Sequence, residues 1–238
     1  MREAQLGGLT TRMAGGSDGN GGGNGPVVIL LHGFGAPGDD LVPLADWIAA
    51  PTGTRFLFPE GPLSLSMGFG ASRAWWIIDM ARLEADRAAG RIRDLSNEVP
   101  RGLPQAREVL ETFLTQLPRA LPIEYEKTVI GGFSQGAMLT CDLIMRTGHP
   151  FAGLVQLSSS LLAKQDWRPT VAKRAGLPVF QSHGTHDPIL PYMMAERLRD
   201  ELRQAGLAVE WHPFRGGHEI PEPVLSQLGG FLANVVIR

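Results

Sequence analysis

Apolar residues in this chain fall into short unbroken runs separated by longer stretches with a helical period. Runs over 27–31, 55–58, 128–131, 154–157, 177–181 and 207–213 are too short for core helices and read as strands, the continuous apolar run 27–31 as a buried one. Between them, 39–50, 103–117, 136–146, 192–205 and 223–236 place apolar residues three and four apart, the signature of amphipathic helices. Strand and helix alternate along most of the chain, which predicts an α/β fold with a mostly parallel central sheet and helices on both faces.

Two stretches break that rhythm. Residues 15–25 read GGSDGNGGGNG, with too little apolar content to pack. They lack the Gly-Lys-Ser/Thr ending of a phosphate-binding loop and precede a strand instead of following one. The expectation is a flexible surface turn joining a short N-terminal strand to the sheet. Residues 61–100 include LSLSMGFGASRAWWIIDM and then a polar, Arg-rich segment with no clear period. Long connections in compact domains are usually functional or mobile, so this one is expected to form a wall of the site or a partial lid.

Composition narrows the classes. With 238 residues and 43% hydrophobic content, the chain has core enough for one domain over 1–238. A formal charge of −2 without a basic stripe argues against nucleic acid. Cys141 is the only cysteine, so no disulfide can form within the chain. The N-terminal residues lack an apolar signal segment, and no run is long enough to insert in a bilayer. A cytoplasmic protein is the default, and a homodimer stays open.

The chemistry centres on Gly132-Phe133-Ser134-Gln135-Gly136, between an apolar run and a helical one. Strand, sharp turn and helix are the context of a nucleophile elbow, in which a strained turn lifts a serine hydroxyl above the sheet. A serine needs a general base, and the base an orienting acid. His218, in RGGHE between the last strand and last helix, is the candidate base. His212 lies in a strand, and His183 and His186 precede the best acid. Asp187, in SHGTHDP directly after the fifth strand, is favoured over Asp166. A metal at His183, His186 and Asp187 is disfavoured, because a bend with Gly184 and Pro188 would have to present all three together. The oxyanion donors expected are the backbone N–H groups of Gln135 and of Phe34, the latter in the loop LHGFGAPGDD that His32 braces. Leu65, Met67, Phe69, Trp75 and Trp76 are candidates for substrate binding, with Leu161, Leu162, Ile189 and Leu190 weaker ones.

With those residues placed, the sequence resembles the phospholipase/carboxylesterase family of α/β-hydrolases, which includes acyl-protein thioesterases. LHGFGAPGDD, FLFPEGP, RAWWIID, GGFSQGAM, HGTHDPILP and GGHEIP occur in the family's order over roughly 27–221. The resemblance implies cofactor-free hydrolysis of carboxylic esters or thioesters through an acyl-enzyme. It implies that Ser134, Asp187 and His218 match the family's triad, and Phe34 and Gln135 its oxyanion donors. The segment 79–100 looks longer than its thioesterase counterpart, and Ala-Pro-Gly follows HGFG where the thioesterases have an Asp-Thr-Gly-like turn. The reading that results is a serine carboxylesterase for short- to medium-chain esters. The alternatives are a long-chain thioesterase or lysophospholipase, and a non-catalytic ligand-binding module on the same fold.

Overall fold

The computed structural model describes residues 1–66, 71–90, 94–167 and 170–236. In chain order its strands are β1 (Arg2–Leu6), β2 (Leu9–Gly16), β3 (Asn20–Gly22), β4 (Val27–Leu31), β5 (Arg55–Pro59), β6 (Leu63–Leu65), β7 (Ser72–Ala74), β8 (Thr128–Phe133), β9 (Gly153–Leu157), β10 (Pro178–Gly184) and β11 (Ala208–Phe214). Its helices are α1 (Leu44–Trp47), α2 (Met80–Ala88), α3 (Leu103–Ala120), α4 (Gln135–Arg146), α5 (Lys164–Trp167), α6 (Tyr192–Gln204) and α7 (Glu222–Val236). The main sheet runs β1-β2-β5-β4-β8-β9-β10-β11, with β3 beside β2. From β5 to β11 all neighbours are parallel, while β1, β2 and β5 pair antiparallel. This is the α/β-hydrolase arrangement, with helices on both faces.

The unbroken runs are explained by the two cores. Val27, Ile29 and Leu31 of β4 face a cluster that includes Leu110 and Phe113 of α3, Leu139 of α4 and Leu198 of α6. Val28 and Leu30 face the opposite way, against Leu228 and Phe231 of α7. A strand covered on both sides has no position left for a polar side chain, so alternation disappears. Each such fully buried side chain contributes roughly 1.5–3 kcal/mol.

Two expectations need correction, and a third stretch gains definite elements. The helix over 39–50 shrinks to the four residues of α1, because Pro43 can only start a helix and Pro51 cannot continue one. The glycine-rich 15–25 stretch is not a plain loop: it completes β2 and forms β3. There the Asp18 carboxylate accepts the N–H groups of Asn20 (2.8 Å) and Gly22 (2.9 Å), and Gly16 donates to the Thr54 carbonyl (2.8 Å). The aperiodic 61–100 stretch holds the β6–β7 hairpin and α2. The latter is built from good helix formers without an apolar stripe, and Asp79 caps it by accepting the Arg82 N–H (2.9 Å).

Two polar devices fasten the helices. Pro118 lies inside α3 and has no N–H to give Leu114, and the Tyr125 hydroxyl donates to the Leu114 carbonyl instead. Asp142 of α4 is fully buried. Its carboxylate accepts Arg107 of α3 (2.6 Å), Arg146 of its own helix (2.8 Å) and the Trp167 indole N–H of α5 (3.0 Å). Removing one partner of a buried ion pair costs about 3–5 kcal/mol, and the partial water access of both arginines places this case at the lower end. Asp142→Ala is therefore expected to lose about 3 kcal/mol in urea unfolding. An unchanged midpoint would show that water replaces the carboxylate.

Candidate active site

The turn that carries Ser134 is made by close approach of backbone. β8 ends at Phe133, α4 begins at Gln135, and Ser134 between them sits at φ 52°, ψ −115°. A non-glycine residue in that region costs on the order of 1–3 kcal/mol and persists only where its surroundings impose it. Here they do. The Leu31 carbonyl lies so close to Gly132 and Gly136 that a Cβ on either would collide with it. Ser134 also donates its N–H to the Leu157 carbonyl (2.9 Å). The turn is thus held between β4 and β9, with the positive end of α4 beneath the hydroxyl.

Asp187 and His218 come from the loops after β10 and β11, which are laced together. Thr185 donates to the Phe214 carbonyl (2.8 Å) and His186 to that of Gly216 (2.9 Å). Asp187 Oδ1 accepts the N–H groups of Ile189 (2.8 Å) and Leu190 (2.9 Å), while Oδ2 lies 2.7 Å from His218 Nδ1. Burial by itself would raise the Asp187 pKa. The His218 hydrogen bond and charge and the two backbone donors outweigh it and hold the carboxyl below the usual carboxylate range. The His218 ring packs on Phe133, centroids 4.7 Å apart.

The loop carrying Phe34 is fixed by His32, as expected, and by Glu60, Arg73 and Arg12, which the sequence did not single out. His32 is buried. Its Nε2 accepts the Gly61 N–H (2.9 Å), so the ring proton is on Nδ1, which donates to the Gly33 carbonyl (2.8 Å). Gly35 and Ala36 exchange backbone hydrogen bonds with Arg73, whose guanidinium pairs with Glu60, itself paired with Arg12 at 2.8 Å. The fully buried Gln135 side chain accepts the Trp75 N–H (2.9 Å) and donates to the Trp76 carbonyl (2.8 Å).

Ser134, His218, Phe34 and Gly33 line one cavity of about 700 Å³, within the usual range for small-molecule sites. Its apolar lining includes Trp76, Met138, Leu162 and Leu190, and Ile77, Ile78, Met80, Leu83 and Leu95 supply a wall. Of the expected substrate-binding residues, Trp76 lines the cavity. Trp75 does not: it is core, and its indole N–H donates to the His32 carbonyl (3.1 Å) behind the Phe34 loop. Leu65, on β6, is absent from the lining, and Met67 and Phe69 lie outside the described residues. Ile189 joins Leu162 and Leu190 in the lining, whereas Leu161 is buried in the core. Two of the rivals lie elsewhere. Asp166 pairs with Arg146 (2.5 Å), and His212 stacks on Phe180, centroids 4.4 Å apart. Burial pushes the Cys141 thiol up, which leaves it unreactive.

A hydroxyl on a strained strand–helix turn, an imidazole carboxylate pair and an apolar cavity on this sheet define an α/β-hydrolase. Comparison with known proteins takes this one step further. The family described as phospholipase/carboxylesterase matches over residues 22–236, and the chain belongs to it. It is a hydrolase of the esterase and thioesterase type. The chain is 28% identical over 225 residues to acyl-protein thioesterase 1 of Candida albicans, covering 88% of this chain and 92% of that one. It is 30% identical over 174 residues to the protein of the same name from Kluyveromyces lactis, covering 69% and 71%. Among solved structures, esterase PE8 superposes with a TM-score of 0.78 at 26% identity, covering 95% and 99%. A carboxylesterase from Mesorhizobium loti shares the fold, with a TM-score of 0.75 at 17% identity over 98% and 99% of the chains.

The buried histidines set a pH dependence of stability. Burial, the leading cause, depresses the pKa of both His32 and His183 below the ordinary 6.5. As pH falls through 6.5 the unfolded chain takes up these protons first, so their contribution is complete above that value and is lost below it. Asp187, also depressed, adds a further loss below its ordinary 3.8. The melting temperature is expected to fall between pH 7.5 and 5, and in the His32→Gln variant to fall less. A melting temperature that is flat over that interval would contradict the assignment of buried neutral rings.

Proposed function

We propose that the protein is a serine carboxylesterase acting on short- to medium-chain esters through an acyl-enzyme. The observation that carries this reading is the 2.7 Å contact between His218 Nδ1 and Asp187 Oδ2, in a cavity that also presents Ser134 on its strained turn. In the mechanism that follows, His218 Nε2 takes the Ser134 hydroxyl proton as Oγ attacks the carbonyl carbon. The backbone N–H groups of Phe34 and Gln135 receive the developing oxyanion. Collapse of the tetrahedral intermediate breaks the bond to the leaving group, which His218 protonates. Water, deprotonated by the same imidazole, attacks the acyl-enzyme and releases the acid and Ser134. Asp187 stays ionised and holds the ring with its proton on Nδ1. The acyl chain lies along Trp76, Met138, Leu162 and the wall of Ile77, Ile78, Met80, Leu83 and Leu95.

A second reading is supported by the thioesterase relatives: hydrolysis of long acyl thioesters or lysophospholipids in the same cavity. Hydrolysis of p-nitrophenyl esters from acetate to palmitate separates the two. A peak at short chains supports the carboxylesterase reading, and a peak at palmitate moves the long-chain reading ahead. Ser134→Ala is expected to lower kcat on the order of 10⁴- to 10⁶-fold. Asp187→Asn, which leaves the imidazole in the wrong tautomer, is expected to lower it about 10⁴-fold. Activity that survives Ser134→Ala would remove the acyl-enzyme, and no Ser134-dependent turnover on any chain would favour a ligand-binding module.

A further inference from the structure

One buried titratable group next to the site has no part in the mechanism above. His183, at the end of β10, is fully buried. Its Nε2 lies 2.8 Å from the Leu190 carbonyl oxygen and 3.3 Å from Asp187 Oδ2. A carbonyl oxygen can only accept, so Nε2 carries the proton. Nδ1 has no hydrogen-bond partner among the described residues, so a second proton there would be buried and unpaired. The ring is therefore a neutral donor with one proton in a known place. Burial, which pushes the His183 pKa down, keeps it so, against the opposing pull of Asp187.

The consequence lies in what Leu190 does with its other end. Its N–H is one of the two backbone donors on Asp187 Oδ1. His183 grips the carbonyl of the same residue whose amide grips the acid. The ring thus fixes the 187–190 turn from inside the sheet and also turns an N–H dipole toward Oδ2, the oxygen that orients His218. We infer that His183 is a positioning residue: a neutral, Nε2-protonated imidazole that holds the acid in register with the base. Neutrality is part of the role. A cation at this place would compete with the imidazolium of His218 for the same carboxylate during the reaction.

The inference rests on the serine hydrolase reading and makes its own demand on side-chain chemistry. Glutamine at 183 places an amide N–H where Nε2 is. Phenylalanine keeps the volume and removes the donor. Asparagine keeps a donor but is too short to reach Leu190. The titratable groups facing position 183 are Asp187 and His218 from the two loops and Tyr192 from α6, whose ring centroid is 6.3 Å away. All three remain in every variant.

The experiment measures kcat and KM against pH on a p-nitrophenyl ester for wild type, Ser134→Ala, and His183→Gln, →Phe and →Asn. Melting temperatures are recorded for each. A misplaced catalytic group costs up to about 100-fold. His183→Phe and His183→Asn are expected to lose roughly 10- to 100-fold in kcat with KM little changed, and to move the acid limb of kcat/KM. His183→Gln is expected to stay within about threefold of wild type and to keep the acid limb in place, the rescue that a positioning donor predicts. Where the phenylalanine variant does not fold, the asparagine and glutamine variants decide. Wild-type kcat and acid limb in a folded phenylalanine or asparagine variant would overturn the inference. So would equal losses in the glutamine and asparagine variants. Activity independent of Ser134 would overturn the hydrolase reading instead, and the Ser134→Ala control reports that failure separately.

Discussion

Everything at the site depends on how closely two strands are allowed to approach. The Leu31 carbonyl of β4 sits against the α-carbons of Gly132 and Gly136, and this is possible only because neither carries a side chain. Between those two contacts the chain must reverse from strand to helix, and Ser134 is left in a conformation it would not choose alone. The parallel pairing of β4 with β8 and of β8 with β9 holds that approach rigid, with a packed core on each side of the sheet. The cost of the strain is small beside what those cores contribute, so the turn can persist.

Around this fixed point the other parts arrive from separate loops, each with its own anchor. The Phe34 loop is held by His32, by the Arg73 backbone and by the Arg12–Glu60–Arg73 ion pairs beneath it. The loops carrying Asp187 and His218 are laced together by backbone hydrogen bonds beside the Asp187–His218 contact. Few of these anchors are exposed charges, which would contribute little in water. Most are buried polar groups with defined partners, where leaving a donor or acceptor unmade is costly.

How much of this could be read in the sequence depends on the range of each interaction. The strands of the parallel sheet were legible because burial on both faces erases alternation, as in Val27–Leu31. The placement of Ser134 on a strand–helix turn, and of Asp187 and His218 in loops that bring them together, was legible because each follows a strand. Over 39–50 the helical spacing extends further than the helix, which Pro43 starts and which ends before Pro51. The α2 helix escaped because a surface helix of Arg, Glu and Ala shows no apolar stripe, although Asp79 as its cap was a usable local sign. The structural role of Gln135 had no sequence signal at all. Its side-chain partners are main-chain groups of Trp75 and Trp76, sixty positions away, and main-chain groups leave no trace in residue identity. Trp75 was misplaced for the same reason: its indole was assigned to the cavity, while a main-chain carbonyl takes it into the core.

The Gln135 side chain joins two tasks that many enzymes keep apart. One residue supplies the amide next to the nucleophile and also fixes the strand end from which Trp76 reaches the cavity. The near end of the pocket is therefore welded to the chemistry, and a change there would be felt at the reacting atoms. On the far wall, Ile77, Ile78, Met80, Leu83 and Leu95 line the cavity with apolar side chains that make no hydrogen bond to the Ser134 turn. New substrate preferences can accumulate on that side while the machinery stays untouched, so divergence in this lineage has one open direction.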